Sequence, residues 1–227
     1  MIQNQEEVLP VVEASQEKTI SIVQLIMDGG IGGQIIMGIL FVLLVVAVYI
    51  YIERFLAIKA ANKVDKNFMN QIREQISAGN IEAAKMLCAK VDLPVANLVQ
   101  KGISRIGKPL EDINTAIENA GKLEIYKLEK NVSVLATISG AAPMIGFLGT
   151  VIGMIVSIHE IANAGGQIDI KMLSDGLYTA MTTTVGGLIV GIISYISYNH
   201  LVVRTDKVIY HMEATSVEFL DLLNEPV

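Results

Sequence analysis

LEKNVSVLATISGAAPMIGFLGTVIGMI, running from Leu128 to Ile155, decides how this chain folds. Between Lys130 and His159, 28 residues pass without an Asp, Glu, Lys or Arg. A helix rises about 1.5 Å per residue and the hydrocarbon of a bilayer is about 30 Å thick, so roughly 20 such residues suffice to cross it. Gly, Ala, Ser and Thr are spread through the run. Helices in lipid gain nothing from hiding apolar surface, and associate by close backbone approach at small residues and by hydrogen bonds between polar side chains. The run therefore predicts a membrane span that packs against other protein.

Two further stretches are also uncharged and long enough to cross. Ile31–Ile52 is dominated by Leu, Val and Ile and stops at Glu53 and Arg54, and 24 uncharged residues separate Asp175 from His200. The second and third runs exceed the hydrocarbon thickness, so they must tilt or project from it. The 52% hydrophobic content and mean hydropathy of +0.52 concentrate in these blocks. The expected fold is an all-α integral membrane protein with three transmembrane helices, the second and third extending into a cytoplasmic helical bundle. The segments are an outer N-terminal stretch (1–30), a first span (31–52), a cytoplasmic helical region (53–131), a second span (132–158), an outer connection (159–175), a third span (176–203) and a cytoplasmic C-terminal helix (204–227). Glu6, Glu7, Glu13, Glu17 and Asp28 outnumber Lys18 ahead of the first span, so the N-terminus lacks the basic start of a cleaved signal and the span is read as retained. Thirteen of the seventeen Lys and Arg lie in 53–131. Basic residues stay on the cytoplasmic side, so this count predicts the N-terminus outside and the C-terminus inside.

The region 53–131 reads as helices broken at Ser77–Asn80, at Pro94 and at Gly107–Pro109, with Ile72, Ile76, Leu87 and Leu98 as apolar positions. Glu118–Lys130 is expected to run into the second span without interruption. Val208, Met212, Val217, Phe219 and Leu220 predict that the third helix continues as an amphipathic one. The only cysteine, Cys88, lies outside the spans and reads as a packed thiol, leaving no disulfide or multi-cysteine metal site within one chain. Acidic residues are interspersed among the basic ones, the net charge is −6, and no basic patch points to nucleic acid. No cofactor motif stands out. An enzyme is not expected, because no nucleophile, acid and base cluster together.

Polar residues within the spans are the candidate functional positions. Gly146, Gly149 and Gly153 form one small-residue surface, with Thr150 on the same face, and Gly187 and Gly191 form another. Thr184, Gly187, Gly191, Ser194 and Tyr198 share a stripe on the third span, and Thr179, Thr183 and Gly186 share the next. A lone threonine in such a helix ordinarily bonds back to its own preceding turn. Several threonines placed with glycines on facing spans suggest instead a wetted or partner-filled cavity. Yet no carboxylate or amine lies inside any span, and proton movement under a membrane potential uses an ionisable carrier. If protons move here, a partner must bring the carrier. His159 and Glu160 mark the outer end of the second span and could guide protons to an entrance.

Leu128–Ile155, together with GLYTAMTTTVGGLIVGI at Gly176–Ile192, resembles the second- and third-span signatures of the MotA/TolQ/ExbB proton-channel family. Three spans with an outer N-terminus are similar to its ExbB and TolQ branches rather than to MotA, whose pattern has four. The resemblance implies a bacterial inner-membrane motor subunit. Five copies would enclose the spans of an ExbD-like partner dimer whose membrane aspartate takes and releases protons, and a TonB-like protein would carry the motion to outer-membrane transporters. It places Thr150 and Thr184 on the family's pore-facing threonines and Ala142–Pro143 on its Ala-Pro pair, where Pro143 could kink the helix and free a carbonyl. Many ExbB and TolQ sequences carry a glutamate where this chain has Thr179. That leaves the partner's aspartate as the carrier, with Thr150, Thr179, Thr183 and Thr184 offering hydroxyls along the path. A TolQ-like or gliding-type motor subunit, or a membrane scaffold that does not conduct, are the alternatives. A scaffold would tolerate valine at Thr150 and Thr184 where a proton path would not.

Overall fold

The computed structural model describes residues 30–63, 67–163 and 170–224, and every regular element among them is an α-helix. Seven helices follow in order: α1 (Gly30–Ala61), α2 (Phe68–Ser77), α3 (Ile81–Val91), α4 (Pro94–Ile103), α5 (Leu110–Glu129), α6 (Val132–Asn163) and α7 (Ile170–Asn224). The expected outer segment 1–30 lies outside the described residues except for Gly30, as does the middle of the expected connection, 164–169. Three helices, α1, α6 and α7, are long and apolar enough to cross a membrane. Their most extensive contact is between α6 and α7, with α1 packed on both.

Span one, whose composition alone suits a lipid-facing position, is two-sided. Ile36, Leu40, Ala47 and Ile50 recur at coiled-coil spacing and are buried, while Ile35, Phe41, Val42, Val45 and Tyr49 on the other side are exposed. A uniformly aliphatic helix shows no periodicity from which the buried side could be read.

The 55 residues of α7 form one uninterrupted helix of about 82 Å, more than twice the hydrocarbon thickness. Leu201, at the end of the third span, and Val208, Met212, Phe219 and Leu222 beyond it form its buried stripe, against α1, α4 and α5. Val217, expected on the apolar face, is exposed instead. Phe219 is fully buried, and a Cβ on Gly102 of α4 would come within 2.5 Å of its ring. Only glycine lets the two helices meet there.

The short helices change over where turn residues require it. Gly79, at φ 76°, separates α2 from α3, Pro94 is the first residue of α4, and Gly107, at φ 94°, precedes the Pro109 cap of α5. One junction differs from expectation. Glu118–Lys130 does not run into the second span, because Lys130 turns extended and Asn131 takes the left-handed conformation at φ 62°, so α5 and α6 meet at a corner. Asparagine, whose side chain can bond locally, tolerates this conformation better than most residues and gives weaker notice of it than Gly or Pro.

Charged side chains brace that corner. Arg54, nearly buried on α1 beyond the apolar run, pairs with Glu53 and donates from Nη1 to the Lys127 carbonyl at 3.0 Å, in the last turn of α5. A cation there also opposes the negative end of the helix dipole. One turn earlier, the buried Glu124 accepts from Lys127 Nζ at 2.7 Å and from Asn97 Nδ2 of α4 at 3.2 Å. Farther along α7, Arg204 Nε donates to His200 Nε2 at 3.0 Å. His200 Nδ1–H is thereby left to donate to the Tyr51 hydroxyl of α1 at 2.9 Å.

Cys88 is fully buried in α3, and desolvation pushes its thiol up to about 11. Only the thiolate is nucleophilic, so Cys88 should resist alkylation in the folded protein near pH 8 (roughly the range of free thiols) and react promptly in denaturant. Rapid labelling of the folded protein would contradict the packing of α3.

Candidate functional site

The seam between α6 and α7 is built on glycine. A Cβ on Gly146 would sit 2.7 Å from the Thr183 carbonyl oxygen and 3.0 Å from the Gly187 Cα, and one on Gly187 would sit 2.6 Å from the Ala142 carbonyl oxygen. Side chains at either position would drive the backbones apart. On one side, Gly149 lies under Thr183 and Gly153 against Ala180; on the other, Gly191 receives the Pro143 ring, 2.6 Å from where its Cβ would be. Pro143 leaves α6 unbroken. Lacking an N–H, it releases the Ser139 carbonyl from the helix ladder, and that oxygen also faces Gly191, 3.1 Å from the same point.

At the centre of this seam, Thr150 and Thr184 use their hydroxyls unlike their neighbours. Thr182 bonds to the Tyr178 carbonyl, Thr183 to Ala180 and Ser157 to Gly153, each within its own helix. Thr150 and Thr184 cross over. Thr150 Oγ1 donates to the Ala180 carbonyl of α7 at 2.9 Å, Thr184 Oγ1 donates to the Gly146 carbonyl of α6 at 3.3 Å, and the two hydroxyls contact each other. Each threonine thus uses the carbonyl four residues before its counterpart. Two protons serve three contacts, so the chain of bonds has two polarities. Either Thr184 donates to Thr150 and Thr150 to Ala180, or Thr150 donates to Thr184 and Thr184 to Gly146. Both side chains remain half-buried.

Thr179, Thr183 and the neighbouring polar residues make other contacts. Thr183 is 1% exposed, filling the space over Gly149. The Thr179 methyl faces α1, where it would be 2.7 Å from a Cβ on Gly33. His159 and Glu160 are exposed on the last turns of α6, with His159 Nε2 bonded to Asn163 Nδ2 at 3.0 Å, about 13 Å along the helix from Thr150. Ser194, on the Thr184 stripe, is fully buried with no partner for its hydroxyl.

Several close contacts had no separate signal in sequence. Gly33 and Gly186 admit α1 to α7, with Gly186 against Met37, and Gly176 receives the Ser157 side chain. Gly33 and Gly176 stand at the edges of their apolar runs, where a glycine reads as a boundary rather than as a contact. Among the described residues, no group of three or more His, Cys, Asp and Glu is placed to hold a metal ion.

Comparison with known proteins bears on what this arrangement serves. The chain is 24% identical over 179 residues to a putative biopolymer transport protein ExbB homolog of Methanothermobacter thermautotrophicus, covering 77% of this chain and 63% of that protein. It is 34% identical over 148 residues to the biopolymer transport protein ExbB of Aquifex aeolicus, covering 64% of this chain and 93% of that one. A Tol-Pal system protein TolQ of Pseudomonas aeruginosa is 29% identical over 118 residues, 52% of this chain and 51% of its own length. A sequence profile of the MotA/TolQ/ExbB proton channel family matches residues 90–214, a range holding α4, α5, α6 and the threonine-bearing part of α7. With three apolar helices and this match over more than half its length, the chain is an integral membrane protein belonging to the MotA/TolQ/ExbB proton channel family.

Proposed function

We propose that this chain is the ExbB-like channel subunit of an inner-membrane motor driven by the proton-motive force. With a one-span, ExbD-like partner dimer it energises TonB-dependent transport across the outer membrane, and it has no catalytic role of its own. The observation that carries the reading is the crossed Thr150–Thr184 pair, a chain of hydroxyls with two polarities held between glycine-packed apolar runs that contain no carboxylate. A proton moving through the membrane potential changes energy by about 2.3 kcal/mol per 100 mV. The group that switches charge belongs to the partner, an aspartate within its span. Ionised, it takes hydroxyl donors from Thr150 and Thr184, which give up their bonds to Ala180 and Gly146; protonated, it releases them. Thr179 and Thr183 support the site from behind rather than lining it, since each already fills space against Gly33 or Gly149. The TolQ relative keeps a cell-envelope motor of the TolQ type as the second reading.

The motor works as a ring of identical chains, five by family resemblance. Ile189, Ile196, Val203, Tyr210 and Val217 of α7 recur every seven residues and are all exposed. Lipid can cover the first three, but Tyr210 and Val217 lie beyond the third span. A second copy running beside α7 would cover all five. A heptad repeat of this kind suits side-by-side helices.

Three measurements test the proposal. The Thr150→Val, Thr184→Val double variant should assemble and retain its partner, because hydrogen bonds between transmembrane helices average only about 0.6 kcal/mol. Proton-driven uptake should nevertheless fall roughly tenfold or more, equivalent to about 1.4 kcal/mol of barrier. Full uptake would leave the non-conducting scaffold as the reading. Replacing both Tyr210 and Val217 with Glu should shift the detergent-solubilised protein toward monomer by size-exclusion with light scattering, and an unchanged oligomer would remove α7 from the interface. For orientation, an impermeant thiol reagent on intact spheroplasts should label Glu6→Cys but not Met86→Cys, an exposed α3 position chosen because Cys88 itself is unreactive in either orientation. The reverse pattern would invert the topology and with it the direction of proton flow.

A further inference from the structure

We propose that the corner between α5 and α6 binds the headgroup of a zwitterionic, ammonium-bearing phospholipid. The corner faces α7 across a cavity of about 560 Å³. Val132, where the second apolar run begins, and Tyr198, near the end of the third, both line it. That places the cavity at headgroup depth, where tyrosines are enriched. The inference rests on membrane embedding and is independent of the proton-motor reading.

Three features describe the ligand. First, the left-handed turn at Asn131 opens the N-terminus of α6 onto the cavity, where the Val134 amide is taken by the Asn131 carbonyl at 3.1 Å, the amides of Val132 and Ser133 have no preceding helical turn to bond to, and the dipole is positive. Lys130 stands beside it, and together they suit a phosphate. Second, Thr205 of α7 lines the same cavity, is only 3% exposed, and has no partner for its hydroxyl. A buried hydroxyl without a partner costs roughly 1–3 kcal/mol, which turning toward a phosphate or glycerol-ester oxygen in the cavity would recover. Third, Glu129 and Asp206 are on the same walls, with Tyr126 and Tyr198. An anion alone would meet two carboxylates, and a cation alone would meet Lys130 and the positive helix end. A phosphate joined by a short link to an ammonium answers both, with the ammonium on the carboxylates and within reach of the tyrosine faces. Val134 and Val202 provide apolar wall beside the site for the acyl chains.

The test uses the full chain, purified in its native oligomeric state and exchanged into nanodiscs holding equal amounts of phosphatidylethanolamine and phosphatidylglycerol. Lipid co-released with the protein is quantified by native mass spectrometry. Phosphatidylethanolamine should be retained over phosphatidylglycerol by roughly tenfold, a difference of about 1.4 kcal/mol in affinity. The Glu129→Gln, Asp206→Asn double variant should bring the two to parity with helicity and oligomeric state unchanged, and Thr205→Val should lower retention of both. Parity in the parent protein, a preference that survives the double substitution, or undiminished retention in Thr205→Val would each overturn the proposal. Displacement of the lipid by soluble phosphoethanolamine would reassign the site to a free ligand. Absence of retained lipid, with Asp206→Asn instead weakening the oligomer, would assign the cavity to a neighbouring copy.

Discussion

The contact on which the rest of the structure depends is the near-touching of two backbones, at Gly146 on α6 and Gly187 on α7. Within lipid there is no hydrophobic drive to hold helices together, so van der Waals contact and a few hydrogen bonds must suffice. Both require closeness. With a Cβ at either glycine the helices would separate, and Thr150 could no longer reach the Ala180 carbonyl nor Thr184 that of Gly146. Gly149, Gly153 and Gly191 extend the same approach above and below, so the crossed hydroxyl pair follows from how the small residues are distributed.

The length of α7 connects this seam to the rest of the chain. One unbroken helix carries Thr184 at one level and Phe219 about 52 Å farther on, where it is seated over Gly102 of α4. A displacement of α7 at the threonines would therefore be felt at α4, with no loop between to absorb it. Arg54, Glu124 and Asn97 fix the frame against which α7 would move, tying the end of α1 to α5 and α5 to α4. His200, bonded to Tyr51 and Arg204, ties α1 to α7 at the level where the apolar runs end.

Electrostatics divides the molecule sharply. The second and third apolar runs hold no Asp, Glu, Lys or Arg, while charges crowd the α5–α6 corner a turn or two beyond them. A chain built this way supplies dipoles and hydroxyls within the membrane and full charges only at its edge. In the proposed motor, the mobile charge that a membrane potential acts on is brought by another molecule.

What the sequence determined by itself follows from composition and period. Three charge-free runs fix three long helices, because lipid obliges each backbone amide to bond within its own helix. Gly and Pro marked the breaks at Gly79, Pro94 and Gly107, and the amphipathic reading of α7 found Val208, Met212 and Phe219 on its buried side but misplaced Val217. The small residues of α6 and α7 identified the surfaces that meet. Tertiary structure alone decided which threonines on those surfaces face one another. Helical spacing puts Thr150, Thr179, Thr183 and Thr184 within reach of a common polar zone, but adjacent positions on a helix are separated by about 100°. Thr183 consequently turns into the space over Gly149, Thr179 turns to α1, and only Thr184 meets Thr150. The buried side of α1 and the corner at Asn131 were hidden for related reasons. A helix apolar on every side has no period to read, and a left-handed asparagine gives weaker notice of a corner than Gly or Pro.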